Sequence, residues 1–196
     1  MFTINLCAAG CGKPAITGNN LCFIHLANPE KENKRICQLI KKNKSFTDLN
    51  VSGFHFEKVD FSERNFFGCN FKDVSFSKCN FSGVKIRMSF FDFAGFNSCD
   101  FIRSDIQFLS FAGSIMDSCI FDESEIIHVN FEGAAISGTS FSNSNLYNSR
   151  FISANLHKTS FVNCNLKRVY FASSKQSEVF FKSSNTAEAV TEKEEQ

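Results

Sequence analysis

The chain has 196 residues, with 21 Lys and Arg, 20 Asp and Glu, and a formal net charge of +1. This balance excludes a uniformly acidic or basic protein, and no apolar stretch approaches the ~20 residues that a membrane-spanning helix needs. The composition is unusual, because it includes 26 Phe and nine Cys but only two Pro and no Trp. The length fits one domain with a continuous core and short additional segments.

The first 27 residues contain four potential metal ligands in a short segment with several glycines. They follow the spacing Cys-x3-Cys-x10-Cys-x2-His: Cys7, Cys11, Cys22 and His25. Zinc is commonly held by three thiolates and one imidazole, and two close ligand pairs on either side of a loop favour such a site. The pattern resembles the short Cys3His zinc knuckles of some bacterial and phage proteins. We expect a structural zinc ion here and no other cofactor; the alternatives are an unliganded flexible leader and a catalytic zinc.

Residues 28–45 are predicted to form a helix that connects this segment to the rest of the chain. The sequence Asn28-Pro29-Glu30 supplies an N-cap, a proline at the first helical position and an acidic first turn. One face of this helix is apolar: Ile36, Leu39 and Ile40. We expect this face to cover the open end of the following domain, because a solenoid needs a cap. The basic remainder could instead, or in addition, contact nucleic acid or an acidic protein.

From residue 46 to residue 181, a large apolar residue occurs at every fifth position. The series begins with Phe46, Val51 and Phe56 and ends with Phe181, and Gln176 is its one polar member. Of the 26 Phe in the chain, 18 lie in this register. A helix repeats every 3.6 residues and a strand every two, so neither explains a period of five. A short repeat of this kind indicates stacked units that each bury one large side chain.

Two further positions in each five-residue unit are restricted. The residue two places before the large one tends to be small, and five cysteines occupy this position: Cys69, Cys79, Cys99, Cys119 and Cys164. Six glycines lie two places after the large residue: Gly53, Gly68, Gly83, Gly113, Gly133 and Gly138. That position is expected to have a positive φ in a tight turn. Each unit is therefore predicted to turn one large and one small side chain inward.

Over about two-thirds of its length, the chain resembles the pentapeptide-repeat protein family. The resemblance implies an all-β fold, a right-handed quadrilateral β-helix with four repeats per coil, so that residues twenty apart stack. From Phe91 on, positions ending in 1 are all Phe, whereas positions ending in 6 are Met, Ile or Leu apart from Phe96 and Gln176. We therefore predict two opposite walls lined by Phe and two lined by aliphatic residues. About seven coils at a spacing of about 4.8 Å would form a rod roughly 34 Å long.

Four segments follow from these patterns. They are a zinc-knuckle-like segment at 1–27, a capping helix at 28–45, the repeat domain at 46–181 and a polar, acidic tail at 182–196. The tail is expected to be frayed, with a short helix around residues 187–192.

The cysteines of the repeat are interpreted as small buried residues. Cys79, Cys99 and Cys119 are twenty residues apart, so they are predicted to stack on one wall, close enough for a disulfide. The N-terminus has no basic region followed by an apolar stretch, as a secretory signal would have. We therefore expect free thiols and a cytoplasmic protein.

One wall departs from the polar character expected of outward positions. Its outward residues are predicted to stack in two neighbouring columns, with two further Phe near the same level: Arg87, Gln107, Ile127 and Tyr147; Met88, Phe108 and His128; Phe90 and Phe93. Apolar and aromatic residues at such positions indicate a partner or dimer surface. The alternative is a local bulge that buries Phe90 or Phe93.

The sequence contains no recognisable catalytic motif. Its four His are scattered, no glycine loop could hold a phosphate, and a narrow tube filled with side chains leaves no room for a substrate. We therefore expect a non-enzymatic binding or scaffold protein that presents a rigid β-helical surface to a protein partner. No membrane association and no small-molecule substrate are expected.

Two other functions remain as alternatives. The family resemblance implies that some members protect a type II topoisomerase by mimicking DNA, as in quinolone resistance. That mechanism needs a strongly acidic rod, whereas residues 46–181 carry 12 basic and 14 acidic residues. The other alternative is nucleic-acid binding through residues 1–45, which carry seven Lys and Arg against two Glu.

Overall fold

One α-helix and twelve three-residue β-strands form the regular structure of residues 5–191, which is the part of the chain that the computed structural model describes. The helix, α1, is Pro29–Lys42, and short 3-10 turns occur at Phe23–His25 and Thr186–Glu188. The strands are β1 (Ser45–Thr47), β2 (His55–Glu57), β3 (Asn65–Phe67), β4 (Ser75–Ser77), β5 (Lys85–Arg87), β6 (Gly95–Asn97), β7 (Asp105–Gln107), β8 (Ile115–Asp117), β9 (Glu125–Ile127), β10 (Ala135–Ser137), β11 (Asn155–His157) and β12 (Lys175–Ser177). Within this part, α1 is the longest helix, and it lacks the length and apolar character that crossing a bilayer requires.

The strands pair in parallel and form two walls of a four-walled tube. Wall one has the order β1-β3-β5-β7-β9, and wall three has the order β2-β4-β6-β8-β10-β11-β12. Partners are twenty residues apart, as for Phe66 and Ile86. Isolated parallel bridges with the same spacing form wall two, which starts with Asn50, and wall four, which starts with Asp60. Four walls per twenty residues, repeated in about seven coils, confirm the predicted β-helix.

The large residue of every unit points into the tube. On wall four, seven Phe rings stack from Phe61 to Phe181, with centroids 4.4–5.4 Å apart and planes within 14° of parallel. Wall two carries the matching ladder from Phe71 to Phe171. Walls one and three begin with Phe and continue with aliphatic residues, as predicted. Gln176 is exposed because it lies in the last coil, which no further full coil covers.

The predicted small position is also buried in most units, and its Cys, Ser and Thr side chains bond to the backbone of adjacent coils. Val59, Arg64, Ser174 and Val179 are half-buried at this position. The Sγ of Cys79, for example, lies 3.4 Å from the carbonyl oxygen of Phe56. All nine cysteines lie in the described residues and are free thiols. Burial raises the pKa of Cys69 to about 12, so that thiol stays protonated and behaves as a small apolar residue.

Two residues after each large one, the backbone turns a corner of the tube. Every fifth residue from Asp48 to Ser183 has a positive φ, including all six glycines predicted at this position. Most of these corner residues are not glycine, although their backbone has the left-handed conformation. Their side chains lie on the outside of the tube. This geometry places Met88, Phe108 and His128 on the outside of the corner between walls one and two.

Helix α1 closes the N-terminal end of the tube. Asn28 caps it, since its Oδ1 accepts a hydrogen bond of 2.9 Å from the backbone N–H of Lys31. Ile36 and Ile40 are fully buried in the same core cluster as the Phe ladders, which confirms the predicted capping role. At the end of the helix, Arg64 Nε donates to the carbonyl oxygen of Ile40 at 2.9 Å.

The N-terminal segment packs beside α1 on the first coil. Ile16 is only 1% exposed and joins the core. The backbone N–H of Thr17 donates to the Asn50 carbonyl at 3.0 Å, and its Oγ1 accepts from the Asn50 N–H at 2.7 Å. The Phe23 ring meets the Phe54 ring edge to face at 5.0 Å. This segment therefore covers the free edge of wall two.

The coil pairing reaches Val190, beyond the domain boundary placed at Phe181. Val190 bridges Tyr170, and the Oγ of Ser184 occupies the small position and donates to the Phe161 carbonyl at 2.6 Å. The short helix expected near residues 187–192 is a 3-10 turn at Thr186–Glu188. Residues 1–4 and 192–196, which belong to the predicted first segment and tail, lie outside the described residues.

Candidate functional site

The four predicted metal ligands come together from two tight turns. The first turn contains Cys7 and Cys11 and is closed by a hydrogen bond of 3.0 Å from the Gly10 N–H to the Cys7 carbonyl. Gly10 has a φ of +74°, a conformation that glycine adopts without strain. In the second turn, the His25 N–H donates to the Cys22 carbonyl at 3.0 Å. Each turn thus presents two ligands to the same point.

The ligand atoms are arranged around one centre. His25 Nδ1 lies 3.4 Å from both Cys7 Sγ and Cys22 Sγ, and Cys11 Sγ lies 3.6 Å from Cys22 Sγ. All four atoms lie within 4.8 Å of one another. A tetrahedral zinc ion with Zn–S of about 2.3 Å and Zn–N of about 2.0 Å would separate its ligands by about 3.5–3.8 Å. The cluster could therefore hold one such ion.

The backbone around the cluster favours a thiolate. A hydrogen bond from the backbone N–H of Cys22 lowers the pKa of Cys7 to about 6. Cys7 and Cys22 are buried, whereas Cys11 and His25 are exposed. Since the set consists of four protein ligands, it is typical of a structural site and not of a catalytic one.

The second candidate site is the outward corner between walls one and two. Met88 and Phe108 are 47% and 51% exposed. The Phe108 ring stacks on His128, with centroids 4.9 Å apart and planes 11° from parallel. Tyr147 meets His128 edge to face at 5.8 Å. The structure therefore brings Phe108, His128 and Tyr147 together in one aromatic cluster.

Phe90 and Phe93 lie outside the tube, so the alternative of a bulge that buries one of them is wrong. Phe90 is 41% exposed on wall two, and the Nζ of Lys72 lies 5.1 Å from the centre of its ring. Phe93 is 69% exposed at the next corner. It lies over Gly113, where a Cβ atom would come within 2.7 Å of the ring. The coil keeps its register because Phe91 fills the inward position.

The neighbouring column on wall one is half-buried and internally paired. Arg87 forms an ion pair with Asp105, and Gln107 Nε2 donates to Asp105 Oδ1 at 2.8 Å. Ile127 is half-buried at the next level. Sequence reasoning missed Phe67, which is 45% exposed and pairs in register with Arg87. The signal was available, since Phe67 stands one place after a large residue, as Arg87 does.

We define the apolar corner as the corner residues together with Phe90 on wall two and two half-buried residues at the adjacent edge of wall one: Met88, Phe90, Phe108, Ile127, His128 and Tyr147. A groove of about 930 Å³ leads away from it, between the N-terminal segment and wall two. Among its lining residues are Pro14, Phe23, Ile24, Lys72 and Phe90. Phe90 belongs to both surfaces, so the apolar corner is continuous with the segment that carries the metal ligands.

Several solved structures are similar to this chain. One is HetL, a pentapeptide repeat protein involved in heterocyst differentiation regulation from the cyanobacterium Nostoc sp. strain PCC 7120; it is 10% identical, with a TM-score of 0.36, covering 87% of this chain and 99% of HetL. Another is QnrB1, a plasmid-mediated fluoroquinolone resistance protein, 18% identical over 72% of this chain and 83% of that one, with a TM-score of 0.39. A pentapeptide repeat protein of the Arabidopsis thaliana thylakoid lumen is 22% identical over 52% and 68%, with a TM-score of 0.28.

Two family models match the sequence itself. The model of pentapeptide repeats in eight copies matches residues 45–83, and that of a pentapeptide repeat region matches residues 109–181. None of the curated proteins compared with the sequence matches it. The two family matches together span more than half of the chain and agree with its period of five and its four-walled coils. The chain therefore belongs to the pentapeptide-repeat protein family.

Proposed function

We propose that this chain is a non-enzymatic binding protein that presents its apolar corner to a protein partner. The observation that carries the proposal is the exposure of Met88, Phe90 and Phe108 side by side at outward positions, most of which are polar elsewhere in the repeat. Contiguous exposed apolar side chains of this size mark interaction surfaces. Aromatic residues and Met are also enriched at the centres of protein interfaces.

The rigidity of the corner supports the same function. The backbone N–H of Phe108 donates to the Ile127 carbonyl at 3.1 Å, and the ring is fixed by its stacking on His128. This surface would therefore lose little conformational entropy when a partner binds it. The nearby charge of Arg87 is already paired with Asp105, so the surface favours an apolar partner over a charged one.

We further propose that Cys7, Cys11, Cys22 and His25 bind a structural zinc ion. The same short segment carries Ile16 into the core and Thr17 onto the edge of wall two. A segment this short buries too little surface to order itself, so bound metal would supply the free energy that orders it. Zinc would thus hold the end cap, and one wall of the groove, in place.

Site-specific photo-crosslinking tests the partner surface. A benzophenone amino acid at Phe108 is expected to crosslink one discrete protein in cells of the native host. The matched control is Ile115, which is 62% exposed on wall three. With the captured protein purified, Phe108→Ala should weaken binding at least tenfold and Ile115→Ala less than twofold. The same crosslinked band from both positions, or unchanged affinity of Phe108→Ala, would contradict the proposal.

Metal analysis of the purified full-length protein tests the zinc site. We expect one zinc per chain, and loss of that zinc in Cys11→Ser, since this ligand is exposed and its replacement disturbs little packing. Cys37→Ser is the control, because Cys37 lies on α1 outside the cluster and should leave the zinc content unchanged. Wild-type protein without bound metal after refolding with zinc would refute the assignment.

Topoisomerase protection stays a prediction. The repeat region carries 12 basic and 14 acidic residues, which is far from the charge of duplex DNA. A gyrase supercoiling assay with a quinolone, with and without the protein, measures this activity directly. Rescue of the enzyme would establish it independently of the apolar corner.

A further inference from the structure

The solvent face of α1 carries four lysines on one side of the helix. At 100° per residue, these side chains fall within about a quarter to a third of the helix circumference, and all are exposed: Lys31, Lys34, Lys41 and Lys42. We call this set the lysine stripe. At 1.5 Å per residue it extends over roughly 16 Å.

The packing of α1 fixes the direction in which the stripe points. Ile36 and Ile40, on the opposite face, are fully buried against the end of the tube. Asn33 Nδ2 donates to the carbonyl of His55, and Arg64 Nε donates to the carbonyl of Ile40. The helix is therefore anchored near both ends, and the stripe must face solvent at the end of the rod.

Helix stability does not explain the stripe. Lys41 and Lys42 complement the helix dipole at the C-terminus, but Lys31 lies in the first turn, where the dipole disfavours a cation. Lys31 and Lys34 also repel each other at i, i+3. Of the two helix carboxylates, Glu32 is paired with Arg35, and Glu30 lies at i, i+4 from Lys34 without forming an ion pair. No ion pair among residues 5–191 involves a lysine of the stripe.

We propose that the lysine stripe binds the phosphate backbone of nucleic acid. Phosphates form a regular line of anions, about one charge per 1.7 Å of duplex axis, which lysines along one side of a helix can contact. Lysines also act as point charges that need no particular base sequence. Residues 1–45 carry seven Lys and Arg against two Glu, whereas the repeat region is slightly acidic, so the rod has one basic end that would orient it on a polyanion.

Fluorescence anisotropy with the zinc-loaded, full-length protein tests this inference. The probes are a labelled duplex DNA and a labelled single-stranded RNA of mixed sequence, titrated at several salt concentrations. The test variant is Lys31→Glu with Lys34→Glu. The matched control is Lys158→Glu with Lys175→Glu, which makes the same charge change at two exposed positions of the β-helix. Melting curves check that each variant is folded. If the double glutamate variant does not fold, the double variant Lys31→Gln with Lys34→Gln replaces it, and the same losses of affinity decide the outcome.

The expected result is at least a tenfold loss of affinity in the stripe variant and less than a threefold loss in the control. For four phosphate contacts, the slope of log K against log salt with duplex DNA should be about −3.6 and should fall in magnitude by about 1.8 in the stripe variant. Equal losses in both variants would overturn the proposal, as would no binding at low salt. Equally tight, stripe-dependent binding to poly-glutamate or to phosphatidylserine vesicles would overturn the assignment to nucleic acid.

Discussion

Ser124 shows how a small polar side chain joins coils inside the tube. Its Oγ accepts a hydrogen bond of 3.0 Å from the Ser104 N–H and lies 2.9 Å from the Phe101 carbonyl, to which it can donate. Its own N–H donates to Ser144 Oγ at 2.9 Å, so the same hydrogen bond is repeated in the next coil. Ser104 Oγ also donates to Ser124 Oγ at 3.1 Å. Because both serines are buried, losing the Ser124 hydroxyl would remove the acceptor of the Ser104 hydroxyl and leave the Ser104 N–H and the Phe101 carbonyl only the 3.2 Å hydrogen bond between them.

Ser124→Ala is therefore expected to destabilise the protein by about 1–3 kcal/mol. Ser118→Ala, at the exposed corner between walls three and four, should change the free energy of unfolding by less than about 0.5 kcal/mol. Urea denaturation of both variants measures the difference. A loss of similar size in the two would show that the buried hydroxyl is not a structural bridge.

At the scale of elements, α1 and the metal-binding segment are linked through one charged network. Arg35 Nε donates to Glu32 Oε1 at 2.9 Å, and its guanidinium also donates to the carbonyl of Thr17. The hydrogen bond from Arg35 lowers the pKa of Glu32 below its ordinary value of 4.5. Ionised Glu32 thus helps to hold the arginine that ties the helix to the segment.

The cap should consequently be sensitive to acid. Because the pKa of Glu32 is lower in the folded than in the unfolded chain, its contribution is complete above about pH 4.5 and is lost as the pH falls through the folded value. Glu32→Gln should lower stability by less than about 1 kcal/mol at pH 7, since Arg35 is partly exposed.

Thermal melts between pH 3 and pH 7 measure this effect. The gap between wild type and Glu32→Gln should close toward pH 3, whereas the control Glu30→Gln should match wild type throughout. A gap of constant size at every pH would mean that the charge of Glu32 is not responsible.

Metal removal should loosen one end of the rod only. A zinc chelator is expected to speed hydrogen exchange at the Asn50 amide, which donates to Thr17, while the Phe121 amide, which donates to Ser140 at 2.7 Å, keeps its protection. Hydrogen-exchange mass spectrometry with and without the chelator measures both. Equal acceleration at the two amides would contradict a local role of the metal.

Much of the fold could be predicted because each five-residue unit carries its own large inward residue, so the repeat is visible in the local sequence. That rule alone does not settle Phe90-Phe91, where either ring could fill the tube until the stacked neighbours fix the register. Arg64 occupies a position where the pattern calls for a small residue, and its guanidinium donates to the carbonyls of Ile40 on the packed helix and of Ser62. The pairing of Thr17 with Asn50 joins residues distant in sequence, so no local pattern indicates it.

At the scale of the whole molecule, the rod has two different ends and one apolar corner. The N-terminal end carries the metal-ligand cluster and the lysine stripe on α1. The C-terminal coil ends at Val190, and Phe180 is 55% exposed beside it. Because the apolar corner lies in the middle coils and the stripe lies at one end, the two proposed contacts use separate surfaces.

The proposed binding surface exists only if every fifth residue fills the tube while the corner residues face outward. Phe121 is fully buried and stacks on Phe101 and Phe141, whereas Phe108 is half-exposed. The most direct test is urea denaturation of Phe121→Ala and Phe108→Ala side by side. We predict a loss of ~3–5 kcal/mol for Phe121→Ala and of less than ~0.5 kcal/mol for Phe108→Ala. Equal losses would contradict the assignment of inward and outward positions on which the proposed binding surface depends.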